Sequence, residues 1–215
     1  AEKLLHSAEV VPQLRKLALS GADLAPATLR ALATSGWRLE ELELRFYTLG
    51  AAGAAALLAA PAFSLRRLAL IACGLDAAAL LCIADAPWPL EELDLSFNNF
   101  SGAAAERALV RLSRRAGLRK LDIGNCHLSA TGFRALAEAA WPALTSFNAG
   151  SMAVRFDGPH ALGAAAFASL PALEQLDLSG WALGEAGAAL LASRRWPRLR
   201  KLTLYRAGLG DAGLA

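Results

Sequence analysis

Histidine, cysteine, methionine and tyrosine are all scarce in this chain: of 215 residues, three are His, three Cys, one Met and two Tyr. His6, His127 and His160 form no pair with metal-ligand spacing, and Cys73, Cys82 and Cys126 contain no CxxC. A sparse, odd set of cysteines is neither a disulfide framework nor a zinc site, and it fits a reducing, intracellular compartment. Long apolar runs are missing too. The nearest, Leu49 to Phe63, is rich in Ala and Gly and carries Pro61, so it reads as a buried helix and not as a membrane span. Nor is one sign of charge in excess. Twenty-two basic against 19 acidic side chains leave +3, which gives no global pull toward nucleic acid or membrane. No signal-peptide pattern stands at Ala1. What is abundant is apolar: 55% of the residues, much of it Ala, enough for a large core of closely packed elements.

The chain is self-similar. Aligning Leu14, Leu39, Leu65, Leu90, Leu118, Leu144, Leu173 and Leu199 gives steps of 25, 26, 25, 28, 26, 29 and 26 residues. From each start runs L-x-x-L-x-L-x-x-x-x-L: "LRKLALSGADL" at Leu14, "LEELDLSFNNF" at Leu90, "LRKLDIGNCHL" at Leu118, "LEQLDLSGWAL" at Leu173. Leu, Ile, Val or Phe fills 31 of the 32 key slots, Ala149 being the exception; chance predicts about nine.

The spacing dictates the elements. In x-L-x-L-x both leucines share one face of a strand, because side chains alternate. A helical stretch follows the fourth key residue, as in "AGAAALLAAPAF" and "GEAGAALLASRRWP", and its Leu pairs (Leu57/Leu58, Leu80/Leu81, Leu190/Leu191) are expected to face the same interior. No repeat buries both faces alone, so stacking must supply the core. Trp88-Pro89, Trp141-Pro142 and Trp196-Pro197 close several repeats, with Trp37 and Leu170-Pro171 as variants. Pro stops each helix, and recurrence at one repeat phase makes the Trp column structural.

This pattern resembles the leucine-rich-repeat family over essentially the whole chain. The period and "LSATGFRALAEAAWP" resemble its cysteine-containing and ribonuclease-inhibitor-like classes. The resemblance implies an α/β, right-handed solenoid of about eight repeats, a horseshoe with a parallel sheet on the concave side and helices on the convex side. It also implies a single array over 1–215, with 1–13 the tail of a preceding repeat or cap, 210–215 a truncated last repeat, and the whole a part of something larger. The family places Asn or Cys at the ninth position of the repeat, where the side chain bonds neighbouring loops. Here that column reads Ala22, Tyr47, Cys73, Asn98, Cys126, Met152, Trp181 and Ala207. Three of the eight conform, so a broken ladder is expected, with distorted loops at Tyr47 and Trp181. Cys73 and Cys126, two repeats and about 10 Å apart, are too distant for a disulfide and read as buried thiols.

Candidate binding residues lie on the sheet face. The second and third positions alternate in sign from repeat to repeat: Arg15-Lys16, Glu40-Glu41, Arg66-Arg67, Glu91-Glu92, Arg119-Lys120, then Thr145-Ser146, Glu174-Gln175 and Arg200-Lys201. At the fifth position stand Glu43, Asp94, Asp122, Asn148 and Asp177, an acidic strip suited to a basic peptide. Beside it, Arg45, Phe46, Phe97, Tyr205 and Arg206 have the composition of interaction hot spots. The concave partner site is therefore expected at Arg45, Phe46, Asp94, Phe97, Asp122, Tyr205 and Arg206. A second candidate is the helix of "AAAERALVRLSRRAG". There Arg107, Arg111, Arg114 and Arg115 are expected on one face opposite Leu109 and Leu112, either as a solvated face or as an anion site for RNA phosphate or an acidic partner. The sixth repeat is irregular, with Phe147 and Ala149 replacing leucines and an insertion at Val154–His160; insertions in solenoids map to loops, often at binding faces.

No nucleophile stands with a base and no metal or cofactor motif is present, so the expectation is a non-catalytic scaffold without cofactor or small-molecule substrate. Its expected partner is a protein held on the concave face. The alternatives are a structural ribonucleoprotein subunit docking RNA through the arginine helix, and, by family resemblance, a substrate-recognition module of a ubiquitin ligase.

Overall fold

The computed structural model describes residues 13–21, 26–58, 63–150 and 167–209. Eight short strands form one parallel sheet in chain order: β1 (Lys16–Ser20), β2 (Glu41–Arg45), β3 (Arg67–Ile71), β4 (Glu92–Asp94), β5 (Lys120–Asp122), β6 (Ser146–Asn148), β7 (Gln175–Asp177) and β8 (Lys201–Thr203). The register pairs equal repeat phases throughout. Leu17, Leu42, Leu68, Leu93, Leu121, Phe147, Leu176 and Leu202 are lateral neighbours along one line across the sheet. Helices α1 (Pro26–Thr34), α2 (Gly50–Leu58), α3 (Ala77–Asp85), α4 (Ala103–Leu112), α5 (Ala130–Glu138) and α6 (Gly184–Ala192) lie between strands, and α1 to α5 pack in sequence against one another. Eight parallel strands alternating with helices make an α/β horseshoe of about eight repeats.

The core lies between these two layers, where the key positions meet the inner helix faces. Leu118, Leu121, Ile123 and Leu128 are all buried, opposite Leu109, Leu112, Phe133 and Leu136. Two helices are started by side chains that accept an otherwise orphan N–H: Asp76 from Ala79 at 2.8 Å and Ser129 from Gly132 at 3.1 Å. The expected Leu pairs divide. Leu80 is buried while Leu81 is 42% exposed, because consecutive helical side chains point about 100° apart. Likewise Leu191 is buried and Leu190 only half so. The Trp column is structural, as its phase requires. Trp37, Trp88 and Trp141 are buried, and the indoles of Trp141 and Trp196 donate to the Leu136 and Leu191 carbonyls at 3.0 and 2.9 Å, closing their own helices.

The ninth-position ladder runs further than its residue types imply. Each donor reaches the sixth-position carbonyl of the repeat before it: Cys73 Sγ–H to Leu44 at 3.2 Å, Asn98 Nδ2 to Leu70 at 2.7 Å, Cys126 Sγ–H to Leu95 at 3.0 Å and Trp181 Nε1 to Ala149 at 2.5 Å. An indole N–H is a donor like an amide N–H, so Trp181 extends the ladder. Its ring is buried and stacks on Phe133 at 4.2 Å between centroids. The loop at Trp181 is regular: Gly180 N–H donates to Tyr205 and Leu183 N–H to Ala207. The loop at Tyr47 repeats the same bonds, from Phe46 to Ile71 and from Leu49 to Cys73. Both expected distortions are thus corrected. Burial raises the thiol of Cys73 to about 11 and that of Cys126 to about 12, so both stay protonated donors. His6, Ala22, Pro61, the side chain of Leu58, Met152, the Val154–His160 insertion and the two terminal segments lie outside the described residues.

Candidate functional site

Lateral spacing of about 4.8 Å between strands turns each repeat position into a row. The third-position row is an ion-pair ladder over β1 to β5. Lys16 pairs with Glu41 at 3.0 Å, Glu41 with Arg67 at 2.6 Å, Arg67 with Glu92 at 3.4 Å and Glu92 with Lys120 at 2.9 Å. Beside it Arg15 pairs with Glu40, Arg66 with Glu91, and Arg45 with Glu43 of its own strand. Hydrogen bonding to Lys16, followed by the charges of Lys16 and Arg67, outweighs desolvation and holds the Glu41 carboxyl below the usual carboxylate range.

From β6 onward the row changes character. Ser146, Gln175 and Lys201 carry on where Lys120 ends, and their side chains have no partner among the described residues. The fifth-position row runs Asp94, Asp122, Asn148, Asp177, Thr203. Each acid or amide in it closes the turn two residues on: Asp94 accepts from Ser96 N–H at 2.9 Å, Asp122 from Gly124 at 2.9 Å, Asn148 from Gly150 at 3.0 Å and Asp177 from Ser179 at 2.8 Å. The second Asp122 oxygen accepts from Asn148 Nδ2 at 2.8 Å. Burial pushes the Asp122 carboxyl up, with the charges of Asp94 and Asp177 adding to it, against the opposing bonds from Gly124 and Asn148. The sheet face holds a groove of about 600 Å³ from Lys16 to Asn148, and an adjoining polar depression of about 200 Å³ that shares Asp122, Ser146 and Asn148 with it and continues over Gln175, Asp177, Lys201 and Thr203.

The expected aromatics stand on the rim at the strand C-termini. Phe46 is 62% exposed, Phe97 60% and Tyr205 76%. Phe46 and Phe97 share the eighth position with Gly21, Ala72, Asn125, Gly180 and Arg206. From Phe46 on, each of these has a left-handed backbone, with φ of 61° at Phe46, 60° at Phe97 and 56° at Arg206. Two strand steps, about 10 Å, separate the phenylalanines, with Ala72 between them. Tyr205 and Arg206 lie four strands beyond Phe97, so the sequence-expected concave residues form two groups, one at β2–β5 and one past β8.

The arginine cluster does not form the expected face. Helix α4 ends at Leu112, so Arg114 and Arg115 lie beyond it. The Arg115 guanidinium turns inward and donates to four carbonyls at the end of α3: Ile83 at 2.8 Å, Ala84 at 3.2 Å, Ala86 at 2.5 Å and Trp88 at 2.9 Å. Burial lowers its pKa. Arg111 pairs with Asp85 of α3. Arg107 and Arg114 remain exposed. Sequence periodicity had no signal for the helix end, because Ser113 to Gly117 contains no proline. The polar depression did leave a signal, the uncharged Thr145-Ser146 that interrupts the alternating signs.

Two segments, residues 89–106 and 118–137, match the family model described as Leucine Rich repeat. Among solved structures, the chain is similar to one titled as the crystal structure of a TLR13–ssRNA13 complex, with 20% identity and a TM-score of 0.59 over 95% of this chain. It spans 30% of the length of that chain. Among the described residues no helix is long and apolar enough to cross a membrane. The eight-fold sequence pattern, the one continuous parallel sheet and these matches together show that the chain has the leucine-rich-repeat fold.

Proposed function

We propose that this chain is a non-catalytic interaction scaffold that takes a protein partner on its concave face, near the rim formed by Phe46 and Phe97. One observation carries this reading: two bulky rings stand exposed in left-handed backbone at a phase the other described repeats fill with Gly, Ala, Asn or Arg. Such a conformation costs on the order of 1–3 kcal/mol in a bulky residue. Neither folding nor solubility asks for it, whereas rigidly held aromatics on a sheet edge provide desolvated contact area at little ordering cost. Membership of the cysteine-containing or ribonuclease-inhibitor-like class is part of the same proposal, supported by the period and the full helices. A substrate-recognition role in a ubiquitin ligase is one form of this function and uses the same face.

The rival reading, RNA held on the convex side, draws on the neighbour's title. Two of its four arginines are engaged here, Arg115 on the carbonyls of the preceding helix end and Arg111 with Asp85. The test is capture from native extract by the chain, by its Phe46→Asn/Phe97→Asn variant and by an Arg107→Ala/Arg114→Ala variant, with bound protein and RNA both measured. Loss of a protein partner in the first variant alone supports the proposal. Loss in the second alone, with RNA as the captured species, replaces it.

A further inference from the structure

The concave face is divided by its own electrostatics. Over β1 to β5 every third-position charge is neutralised by its lateral neighbour, and long side chains lie across the groove. Over β5 to β8 the short side chains of Ser146, Asn148, Asp177 and Thr203 leave a 200 Å³ depression open beside Gln175 and Lys201. Ser146, Gln175, Lys201 and Thr203 direct hydroxyl, amide and ammonium groups at it without a partner among the described residues.

The carboxylates beside these groups exceed what the turns require. Asn148 closes its turn with an amide oxygen at 3.0 Å, as Asp122 and Asp177 do at 2.9 and 2.8 Å. Ala18 and Ala69 occupy the same phase with no such bond at all. The negative charges of Asp122 and Asp177 are therefore surplus to the fold, and at Asp122 burial works against them. The two stand two strand steps apart with the Asn148 amide between; Asp177 has an oxygen left after its turn bond, while the second Asp122 oxygen accepts from Asn148 Nδ2 and keeps acceptor capacity for one more donor. That spacing suits a cationic side chain laid over Asn148, with extended main chain bonding to the Ser146, Gln175 and Thr203 groups. The two carboxylates outnumber the single Lys201 ammonium in the depression, so its net charge disfavours a phosphate backbone.

We infer that the β5–β8 depression is an anchor for a lysine or arginine side chain of an extended segment of the partner protein. This rests on the scaffold reading above but on different residues. The probes are acetyl-Ser-Arg-Ser-amide, its citrulline and glutamate counterparts and an oligouridylate, each titrated into the ¹⁵N-labelled full chain. The arginine peptide is expected to shift the amides of Asp122, Ser146, Gln175 and Asp177 saturably, with the citrulline peptide weaker by about tenfold or more. Asp122→Asn/Asp177→Asn, which keeps both turn acceptors, is expected to abolish the shifts, while Phe46→Asn/Phe97→Asn leaves them unchanged. Equal binding of arginine and citrulline peptides, shifts centred on β1–β4, or saturation of these amides by the oligouridylate each overturns the anchor. If the partner is lost with the phenylalanine variant yet retained with the aspartate variant, and no arginine peptide saturates, the anchor fails and the scaffold stands. A saturating arginine peptide with partner capture indifferent to both concave variants removes the scaffold reading instead.

Discussion

The two ends of the sheet solve the same packing problem with different chemistry. Over β1 to β5 the inward strand positions are aliphatic throughout and the solvent face is a ladder of opposed charges. Over β6 to β8 aromatic rings join the leucines in contact, with Phe147 tilted against Trp141 at 6.4 Å, Trp181 stacked on Phe133 and Phe167 5.9 Å from Trp196, while the solvent face is polar without a ladder of ion pairs among the described residues. The contrast teaches that a repeat fold constrains the positions and not the residues. An indole replaces an asparagine's donor, and an amide replaces a carboxylate.

The seam between the two regions is β5, and Leu121→Asp is the largest expected perturbation. It buries an unpaired charge in the line of leucines that crosses the sheet, so the cooperative thermal transition followed by circular dichroism should disappear. A near-unchanged melt would mean that the strand phase is misassigned.

The aromatic cassette comes next. Trp181→Ala should cost about 3–5 kcal/mol in urea unfolding, since it empties the volume against Phe133 and orphans the Ala149 carbonyl. Ala149→Leu alone should overpack against the ring at a cost of about 1–3 kcal/mol. Combining Ala149→Leu with Trp181→Asn, which rebuilds the arrangement of Leu70 and Asn98, should recover most of the loss. Strict additivity in that cycle would break the claim that the two irregular residues compensate.

On the rim the sign reverses. Phe97→Asn should raise stability by about 1 kcal/mol, because Asn125 holds the same backbone at φ 55° in the next repeat, and the gain should accompany lost partner capture. A destabilised variant would remove the argument from strain.

The smallest effects are in pH dependence, where the two regions should move in opposite directions. The Glu41 carboxyl is lowered in the folded chain, so its stabilisation is present above its unfolded pKa and lost as pH falls through the folded one. The Asp122 carboxyl is raised, so its contribution is fullest below the unfolded pKa and is lost as pH rises through the folded one. Melts of Glu41→Gln and Asp122→Asn across the carboxylate range should therefore diverge from the parent chain with opposite slopes. The Glu41→Gln difference should be a few tenths of a kcal/mol and shrink in high salt.

The number of strands, their phase and their parallel order were legible in the sequence because burial at fixed spacing leaves a periodic record. The alternating charges at the third position likewise foretold the ladder. What the sequence hid was geometry that periodicity does not encode. Arg114 and Arg115 continue the helical spacing of Arg107 and Arg111, yet the chain turns at Ser113. Trp181 breaks the expected residue type, yet it satisfies the same carbonyl. The left-handed column at Phe46 and Phe97 was invisible because non-glycine residues give no warning of positive φ. Of the candidate site, the residues were nameable and their grouping was not. Tyr205 and Arg206 share a motif phase with the rim phenylalanines or its neighbour, but stand four strands away from them.

The Arg115 guanidinium has a consequence for how such a chain is cut and recombined. It belongs by sequence to the fourth repeat but terminates the helix of the third, supplying donors to four carbonyls at that helix end, of which Ile83 and Trp88 also accept a backbone N–H. The unit of inheritance and the unit of structure are thus out of step. A repeat excised at its leading leucine takes the guanidinium with the wrong neighbour, so a transplantable module here must run past Arg115, and a duplication that ignores that boundary leaves an unfinished helix end at every junction.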